Sequence, residues 1–416
     1  MTDNNTTQKN NSQPLYEEEL GEKAVDYCFD KVVDRSGSGD LKHGALLPRW
    51  GRDDLLPLWV ADMDFETPKF ITDALKKRLE HSLFGYTVMP EEFWTSIINW
   101  IREHHQWNVR REWMSFIPGI VKGIGLVVNI FTKPDEKVII QPPVYHPFRL
   151  VPQGNRREVV FNPLRENNGT YEMDFDNLER IADDKCRILI LCNPHNPAGI
   201  CWDRNTLVRL ADFCKKRNIL VISDEIHCDM AIFGHKHIPF ASVSEAAREN
   251  SITFQAPTKT FNMAGLISSY CIVPNEEIRT KFFRWLQANE MDEATLFAPI
   301  ATVAAYENGE PWRRAMLAYI EDNVRFVEDY CRENIPGIRP WRPQASFLVW
   351  LDCRSLNLNH AELLDLFIDK AHLALNDGEM FGKKEGHGFM RLNVATPRSI
   401  LRQALEQLAK AVKENI

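Results

Sequence analysis

Short apolar runs of strand length alternate with longer amphipathic segments, and this alternation constrains the fold of the chain most strongly. Four runs have the length of a strand, at 137–140, 188–191, 220–222 and 269–273. Apolar residues recur at helical spacing at 70–79, 93–101 and 207–213. This order predicts an α/β fold with a mostly parallel sheet that is covered by helices on both faces.

Three candidate site residues closely follow these predicted strands. Tyr145 comes after 137–140, Asn196 after 188–191 and Asp224 after 220–222. Ligands of parallel sheets bind beyond the carboxyl ends of the strands. The three side chains are therefore expected at one binding site.

Lys259, in the segment 256–262, follows Asp224 along the chain. Together they suggest pyridoxal 5'-phosphate, because this cofactor needs a lysine amine to hold its aldehyde as a Schiff base. It also needs a carboxylate to keep its ring nitrogen protonated. Either residue alone has an ordinary explanation as a solvated lysine or a capping aspartate, so the hypothesis depends on the rest of the site.

Asn196 and Arg391 extend this hypothesis. Asn196 lies in the rigid Pro-rich turn 193–199, where its amide could donate to the phenolic oxygen of the cofactor or merely form an Asx turn. Arg391 lies on the short apolar run 389–393. A substrate carboxylate would satisfy its planar guanidinium, and a structural salt bridge is the alternative.

A glycine-bearing segment, 118–125, follows the apolar run 114–117 and predicts the start of a helix. Free backbone N–H groups at a helix start bind anions, so this segment is a candidate phosphate cradle. It lacks the sequence pattern of nucleotide P-loops, and a simple turn is the alternative.

These features, in this order, resemble the fold type I pyridoxal-phosphate enzymes of the class I/II aminotransferase superfamily, from about Phe29 to the C-terminus. Within that superfamily, the chain is similar to the MalY/PatB group of cystathionine β-lyases, which are C-S lyases. The strings that carry this similarity are 58–65, 84–87, 142–148, 223–227 and 258–262.

The resemblance implies an aspartate aminotransferase-like fold, with a large domain around a mostly parallel seven-stranded sheet and a smaller α+β domain. The expected divisions are a disordered leader at 1–14, an N-terminal segment at 15–66 that joins the small domain, a large cofactor-binding domain at 67–305 and a small domain at 306–416. The group also implies a homodimer with shared active sites.

The resemblance also assigns roles to individual residues. Lys259, Tyr145 and Asp224 are the implied catalytic residues, and Arg391 is the implied ligand of the substrate carboxylate. Cofactor contacts are implied for Lys259, Asp224, Asn196, Tyr145, His227, Ile120, Val121, Thr258 and, across a dimer interface, Tyr86. From the residues alone, an aromatic beside prolines such as Tyr145 is more often core packing, and His227 could be a buried imidazole without a direct role.

The expected reaction is α,β-elimination from L-cystathionine or a related cysteine S-conjugate. Transamination of aromatic or neutral amino acids is the alternative, because both reactions use the same residues. The segment 264–268 lacks the phosphate-binding arginine of many class I aminotransferases, which favours the lyase. A cofactor-retaining regulatory protein is a third hypothesis, and the intact Lys259, Asp224 and Arg391 argue against it.

Composition agrees with a large enzyme and excludes some other classes. A chain of 416 residues with 44% hydrophobic content can bury a large core, and its net charge of −8 argues against a nucleic-acid partner. The nine cysteines form no C-x-x-C pair and lie mostly in apolar stretches, which is typical of a reducing cytoplasm. No metal site and no membrane partner are expected, and residues 1–14 lack the apolar core of a signal peptide.

Overall fold

The protein is organised around a seven-stranded sheet in a computed structural model that describes residues 26–416. The leader expected at 1–14 lies outside the described residues. The strands are β1 (Leu56–Pro57), β2 (Met114–Ile117), β3 (Lys137–Ile140), β4 (Glu158–Phe161), β5 (Arg165–Asn167), β6 (Thr170–Glu172), β7 (Cys186–Cys192), β8 (Leu220–Asp224), β9 (Ser251–Gln255), β10 (Ser269–Ile272), β11 (Arg339–Trp341), β12 (Leu348–Asp352), β13 (Leu373–Ala374), β14 (Asn376–Asp377) and β15 (Phe389–Asn393).

Helices connect and cover these strands. They are α1 (Leu41–Gly44), α2 (Leu46–Trp50), α3 (Lys69–Leu79), α4 (Glu91–His105), α5 (Ile120–Phe131), α6 (Pro147–Gly154), α7 (Phe175–Ile181), α8 (Arg204–Lys216), α9 (Glu245–Glu249), α10 (Glu276–Ala288), α11 (Phe297–Asn308), α12 (Glu310–Asn334), α13 (His360–Asp365) and α14 (Arg398–Asn415). α13 is followed directly by a π-helical turn, Leu366–Lys370.

The large sheet has the strand order β2-β10-β9-β8-β7-β3-β4. β9, β8, β7, β3 and β4 run parallel, whereas β10 is antiparallel to both of its neighbours. The predicted α/β fold with a mostly parallel sheet is confirmed. The register pairs Cys192 with Asp224, so β7 and β8 end side by side.

The amphipathic patterns form the helices that cover this sheet. In α8, the Asp203 side chain accepts a hydrogen bond from the Thr206 amide at 3.0 Å and caps the helix, which stabilises such an end by about 1 kcal/mol. The α8 residues Leu207 and Leu210 are fully buried in a core with β7 and β8. Burial of side chains of this size contributes about 2 kcal/mol each and holds the helix against the sheet.

A smaller antiparallel sheet, with the order β11-β12-β15-β14, carries Arg391 in its third strand. Arg391 pairs with Trp350 on one side and with Asn376 on the other. The N-terminal part of the chain returns to this region, because β1 pairs in parallel with β13. The Asn393 amide also donates to the Val60 carbonyl at 2.7 Å, which holds the segment after β1 beside β15.

The cysteines and the helix hydropathy also bear on the expectations from the sequence. All nine cysteines are unpaired, and seven of them are buried. Among residues 26–416, none of the helices combines the length and the apolarity that a bilayer crossing requires.

Candidate active site

A cavity of about 820 Å³ lies beyond the carboxyl ends of β7 and β8, between the two sheets. The structure brings most of the sequence-predicted residues together around it. Those on its wall are Tyr145, Asn196, Asp224, His227, Lys259, Arg391, Ile120, Val121 and Thr258. Tyr86 does not line it and is fully exposed to solvent on the segment between α3 and α4.

Lys259 lies just after β9 and extends across the cavity to the N-terminal segment. Its Nζ donates a hydrogen bond to the Ala61 carbonyl. Burial lowers the pKa of the Lys259 amine to about 8, while the carboxylates of Asp62 and Asp224 oppose this shift. Since an amine must lose its proton before it can act as a nucleophile or a base, this environment favours both roles near neutral pH.

Asp224 is the last residue of β8 and is buried at the floor of the cavity. One carboxylate oxygen accepts a hydrogen bond from the Ile226 amide at 3.1 Å. Burial raises the pKa of the carboxyl to about 7, and no lysine, arginine or histidine nitrogen of the described residues lies within 4.0 Å of it. The site therefore holds a carboxyl group that a cationic ligand atom would ionise.

Arg391 is only 3% exposed, and no carboxylate in residues 26–416 forms an ion pair with it. Its two terminal nitrogens donate to Asn196 Oδ1 at 3.0 Å and to the Trp59 carbonyl at 2.9 Å, whereas its buried Nε has no partner among the described residues. Burial lowers the pKa of this guanidinium to about 10, so it stays charged at neutral pH. A buried cation with neutral partners only is suited to an anionic ligand, and the structural salt bridge is excluded within the described chain.

Arg391 donates a hydrogen bond to Asn196 Oδ1, so the Asn196 Nδ2 is directed away from the guanidinium. In residues 26–416, the Asn196 Nδ2 makes no hydrogen bond. The Asx turn considered from the sequence does not account for this side chain, because its oxygen is bonded to Arg391 instead. The free N–H groups are available to a ligand oxygen.

The His227 imidazole is buried at the cavity wall, and its Nδ1 has no hydrogen-bond partner among the described residues. Burial lowers the pKa of His227 to about 3, so the ring is neutral at physiological pH. The Tyr145 ring is partly open to the cavity, and burial raises the pKa of its hydroxyl. Both residues line the cavity.

The start of α5 forms the wall at one end of the cavity. Gly119 precedes the helix with a φ of 111°, which side chains other than glycine rarely tolerate. A Cβ on Gly123 would lie 2.8 Å from Ile117 Cδ1, so this second glycine lets α5 pack closely on β2. The first-turn amides of Ile120 and Val121 have no intrahelical acceptor, and both residues line the cavity at the positive end of the helix.

Some residues of the cavity were not predicted from the sequence. Trp59 and Ala61 contribute backbone carbonyls, His146 contributes an imidazole whose pKa burial lowers to about 4, and Arg49 contributes a second guanidinium. The Trp59 side chain lines this cavity, whereas Phe381 lines an adjacent cavity of about 380 Å³. Because any residue type has a backbone carbonyl, the sequence could not predict which residues of 58–65 accept hydrogen bonds. This string contributed to the prediction only through its similarity to the family.

Residues 53–408 match the family described as Aminotransferase class I and II. The chain belongs to this family. Its sequence is also similar to that of a cystathionine β-lyase over nearly the whole length of both chains. Cystathionine beta-lyase PatB of Bacillus subtilis is 40% identical over 385 residues, which are 92% of this chain and 99% of PatB.

Two solved structures with similar folds agree with this assignment. Cystalysin from Treponema denticola, whose crystal structure contains a pyridoxal 5'-phosphate cofactor, is 33% identical with a TM-score of 0.90, covering 94% of this chain and 100% of cystalysin. The PLP-bound C-S lyase from Staphylococcus hominis is 31% identical with a TM-score of 0.86, covering 94% and 99% of the two chains. The predicted family and fold are confirmed.

Proposed function

We propose that this protein is a pyridoxal-phosphate-dependent C-S β-lyase that converts L-cystathionine, or a related cysteine S-conjugate, into a thiol, pyruvate and ammonia. The observation that supports an amino-acid substrate is the buried Arg391, which has no carboxylate partner within residues 26–416 and lies in the same cavity as Lys259 and Asp224. The choice of elimination is supported by the names of the relatives, PatB and the Staphylococcus hominis C-S lyase, which match almost the entire chain.

The residues of the cavity fit pyridoxal phosphate. Lys259 would hold its aldehyde carbon, Asp224 its ring nitrogen, and Asn196 its phenolic oxygen, while the ring of Tyr145 would stack on the cofactor. The free amides of Ile120 and Val121, with the Thr258 hydroxyl, would hold the phosphate. The carboxyl of Asp224, whose pKa burial raises to about 7 in the absence of a cation, gains a partner in a protonated ring nitrogen.

The bound cofactor supplies an electron-withdrawing ring that stabilises negative charge on the substrate Cα. Arg391 pairs with the substrate α-carboxylate and fixes the orientation of Cα. The Lys259 amine, once free, accepts the Cα proton at Nζ and can return it to the departing sulfur. The Cβ–S bond breaks with its electron pair leaving on sulfur, and water then converts the unsaturated amino acid into pyruvate and ammonia.

A product assay tests this function directly. Purified protein with pyridoxal phosphate and L-cystathionine, and without any keto acid, is expected to release pyruvate and free thiol in equal amounts. Lactate dehydrogenase reports the pyruvate, and a thiol reagent reports the homocysteine. Turnover that requires an added keto acid and yields no pyruvate would identify an aminotransferase instead.

Arg391→Leu is expected to lower kcat/KM by about 10- to 100-fold, because hydrogen bonds between charged groups contribute about 1.5–3 kcal/mol. The change should appear mainly in KM. The melting temperature should not fall, because the substitution also removes a buried, unpaired charge, and the Asn376 amide still donates to the Trp59 carbonyl at 2.7 Å. Pyruvate kinetics and thermal unfolding measure the two effects.

Arg354→Leu is the matched control for Arg391. Arg354 donates to Asp352 at 2.7 Å and to Glu166 at 2.8 Å, outside the cavity. Its loss should lower stability and leave kcat/KM unchanged. A fall in stability with normal kinetics for Arg391→Leu would show that Arg391 is structural.

We also propose a homodimer in which Tyr86 of one subunit completes the site of the other. The proposal is supported by the segment between α3 and α4, where Leu83, Phe84, Tyr86 and Val88 are all exposed. Large apolar side chains clustered on one exposed segment are typical of an interface. A cytoplasmic location is proposed as well, on the basis of the nine unpaired cysteines.

Mixing two inactive variants tests the shared site. Lys259→Ala and Tyr86→Ala, unfolded together and refolded, should form hybrid dimers with one intact site each, since the intact Lys259 and Tyr86 then meet at one site. The mixture should regain about a quarter of wild-type activity, the share expected from random pairing. Each variant refolded alone is the control, and a mixture no more active than these would place Tyr86 outside the partner's site.

A further inference from the structure

Arg49, near the C-terminal end of α2, contributes a second guanidinium to the wall of the 820 Å³ cavity. No carboxylate of residues 26–416 lies within 4.0 Å of it. Its Nη2 donates to the Met380 sulfur at 3.0 Å, which is a weak acceptor, and its remaining N–H groups make no side-chain hydrogen bond with the described residues. The cavity thus has two arginines that lack an anionic partner in the part of the chain that the structure describes.

The rings of Trp50 and Trp59 hold Arg49 in place. Its guanidinium carbon lies 4.6 Å from the ring centre of Trp59 and 5.0 Å from that of Trp50. Two tryptophans restrict the orientation of an otherwise flexible side chain, which lowers the entropy cost of binding a ligand there. This arrangement presents the planar donors of Arg49 in a fixed position.

The same structural elements position Arg49 and Arg391. Trp59 accepts a hydrogen bond from Arg391 through its carbonyl at 2.9 Å and contacts Arg49 through its ring. Met380 contacts Arg49, and the ring centre of the next residue, Phe381, lies 4.9 Å from the Arg391 guanidinium carbon. Trp59 and the adjacent residues Met380 and Phe381 therefore position both guanidinium groups in one cavity.

A substrate with one carboxylate needs only one of these arginines. Cysteine S-conjugates differ in the chemistry of the half that leaves with the sulfur, and some of them, including L-cystathionine, carry a second carboxylate on that half. We propose that Arg49 binds this distal carboxylate and makes the enzyme selective for S-conjugates whose leaving thiol is itself an acid. The inference rests on the proposed function and on Arg391 as the ligand of the α-carboxylate.

The experiment compares two substrates of the holoenzyme by pyruvate release. L-Cystathionine carries the distal carboxylate, and S-ethyl-L-cysteine has an uncharged leaving group. Arg49→Ala is expected to lower the ratio of kcat/KM for L-cystathionine to kcat/KM for S-ethyl-L-cysteine by about tenfold, mainly through KM. Arg49→Lys, which keeps the charge, should restore part of the ratio.

Arg149→Ala is the matched control. Arg149 lines the adjacent cavity of about 380 Å³ and forms no ion pair within residues 26–416, so it is the alternative cation for a distal carboxylate. The ratio should stay within twofold of wild type in this variant. A loss of the ratio in Arg149→Ala but not in Arg49→Ala would overturn the proposal.

Two other outcomes separate the inference from the proposed function. If wild-type protein releases pyruvate from both substrates and Arg49→Ala lowers both kcat/KM values equally, Arg49 only supports the tryptophans and the inference fails, while the lyase activity stands. If wild-type protein releases no pyruvate from either substrate, the proposed function itself fails. Thermal unfolding of each variant shows whether its fold is intact.

Discussion

Replacement of Lys259 by alanine is expected to lower the rate of pyruvate release by at least about 10⁴-fold. Lys259 would lose two functions at once, the attachment of the cofactor and the transfer of the Cα proton. The visible absorption of the bound cofactor should change together with the rate. Stopped assays over hours would measure the residual turnover, and the spectrum would be recorded on the same sample.

Lys259→Arg is the control that distinguishes proton transfer by the Lys259 amine from the effect of its positive charge. Burial lowers the pKa of the Lys259 amine to about 8, whereas a guanidinium keeps its charge and cannot act as the base at this position. The arginine variant should therefore be as inactive as the alanine variant. Substantial activity in Lys259→Arg would mean that the residue contributes a positive charge only, and the proposed proton transfer would be wrong.

The fold and the family could be predicted because their signals are local in the sequence. The apolar runs at 137–140, 188–191 and 220–222 became parallel strands β3, β7 and β8. Residues at the ends of such strands must meet at one edge of the sheet, which is why Asn196 and Asp224 were expected together. The run at 269–273 was correctly predicted as a strand, but periodicity does not encode direction, and β10 is antiparallel to its neighbours.

The rest of the site could not be predicted because it depends on contacts between distant segments. The carbonyls of Trp59 and Ala61 accept hydrogen bonds from Arg391 and Lys259, and any residue type could supply such a carbonyl. Whether Arg391 had a carboxylate partner was likewise undecided until the neighbouring strands were placed. Arg49 gave no signal at all, because a single arginine in a short helix is ordinarily a surface residue.

Asp224→Asn is expected to lower turnover by about 10²- to 10³-fold, the usual loss when one electrostatic partner of a developing charge is removed. Asparagine has nearly the same shape, and its oxygen can still accept from the Ile226 amide, which Asp224 now does at 3.1 Å. It has no negative charge to keep a ring nitrogen protonated. The cofactor should therefore still bind, with a shifted visible spectrum, while pyruvate release slows. Near-normal turnover would contradict the proposed electrostatic role.

The same variant should also stabilise the protein without its cofactor, and only at high pH. Burial raises the pKa of the Asp224 carboxyl to about 7, above its ordinary value in an unfolded chain, so the folded state holds this proton more tightly. Wild-type stability from this group is therefore complete below the unfolded pKa and is lost as pH rises towards 7. Asparagine does not titrate, so the melting temperature of Asp224→Asn should exceed that of wild type at pH 8 and approach it at pH 5. Asp203→Asn at the start of α8 is the control, and it should lower the melting temperature at pH 8. Its effect has the opposite sign because hydrogen bonds from Thr206 lower the pKa of Asp203 despite partial burial. A cofactor-free Asp224→Asn protein that is less stable than wild type at pH 8 would show that the carboxylate already has a stabilising partner.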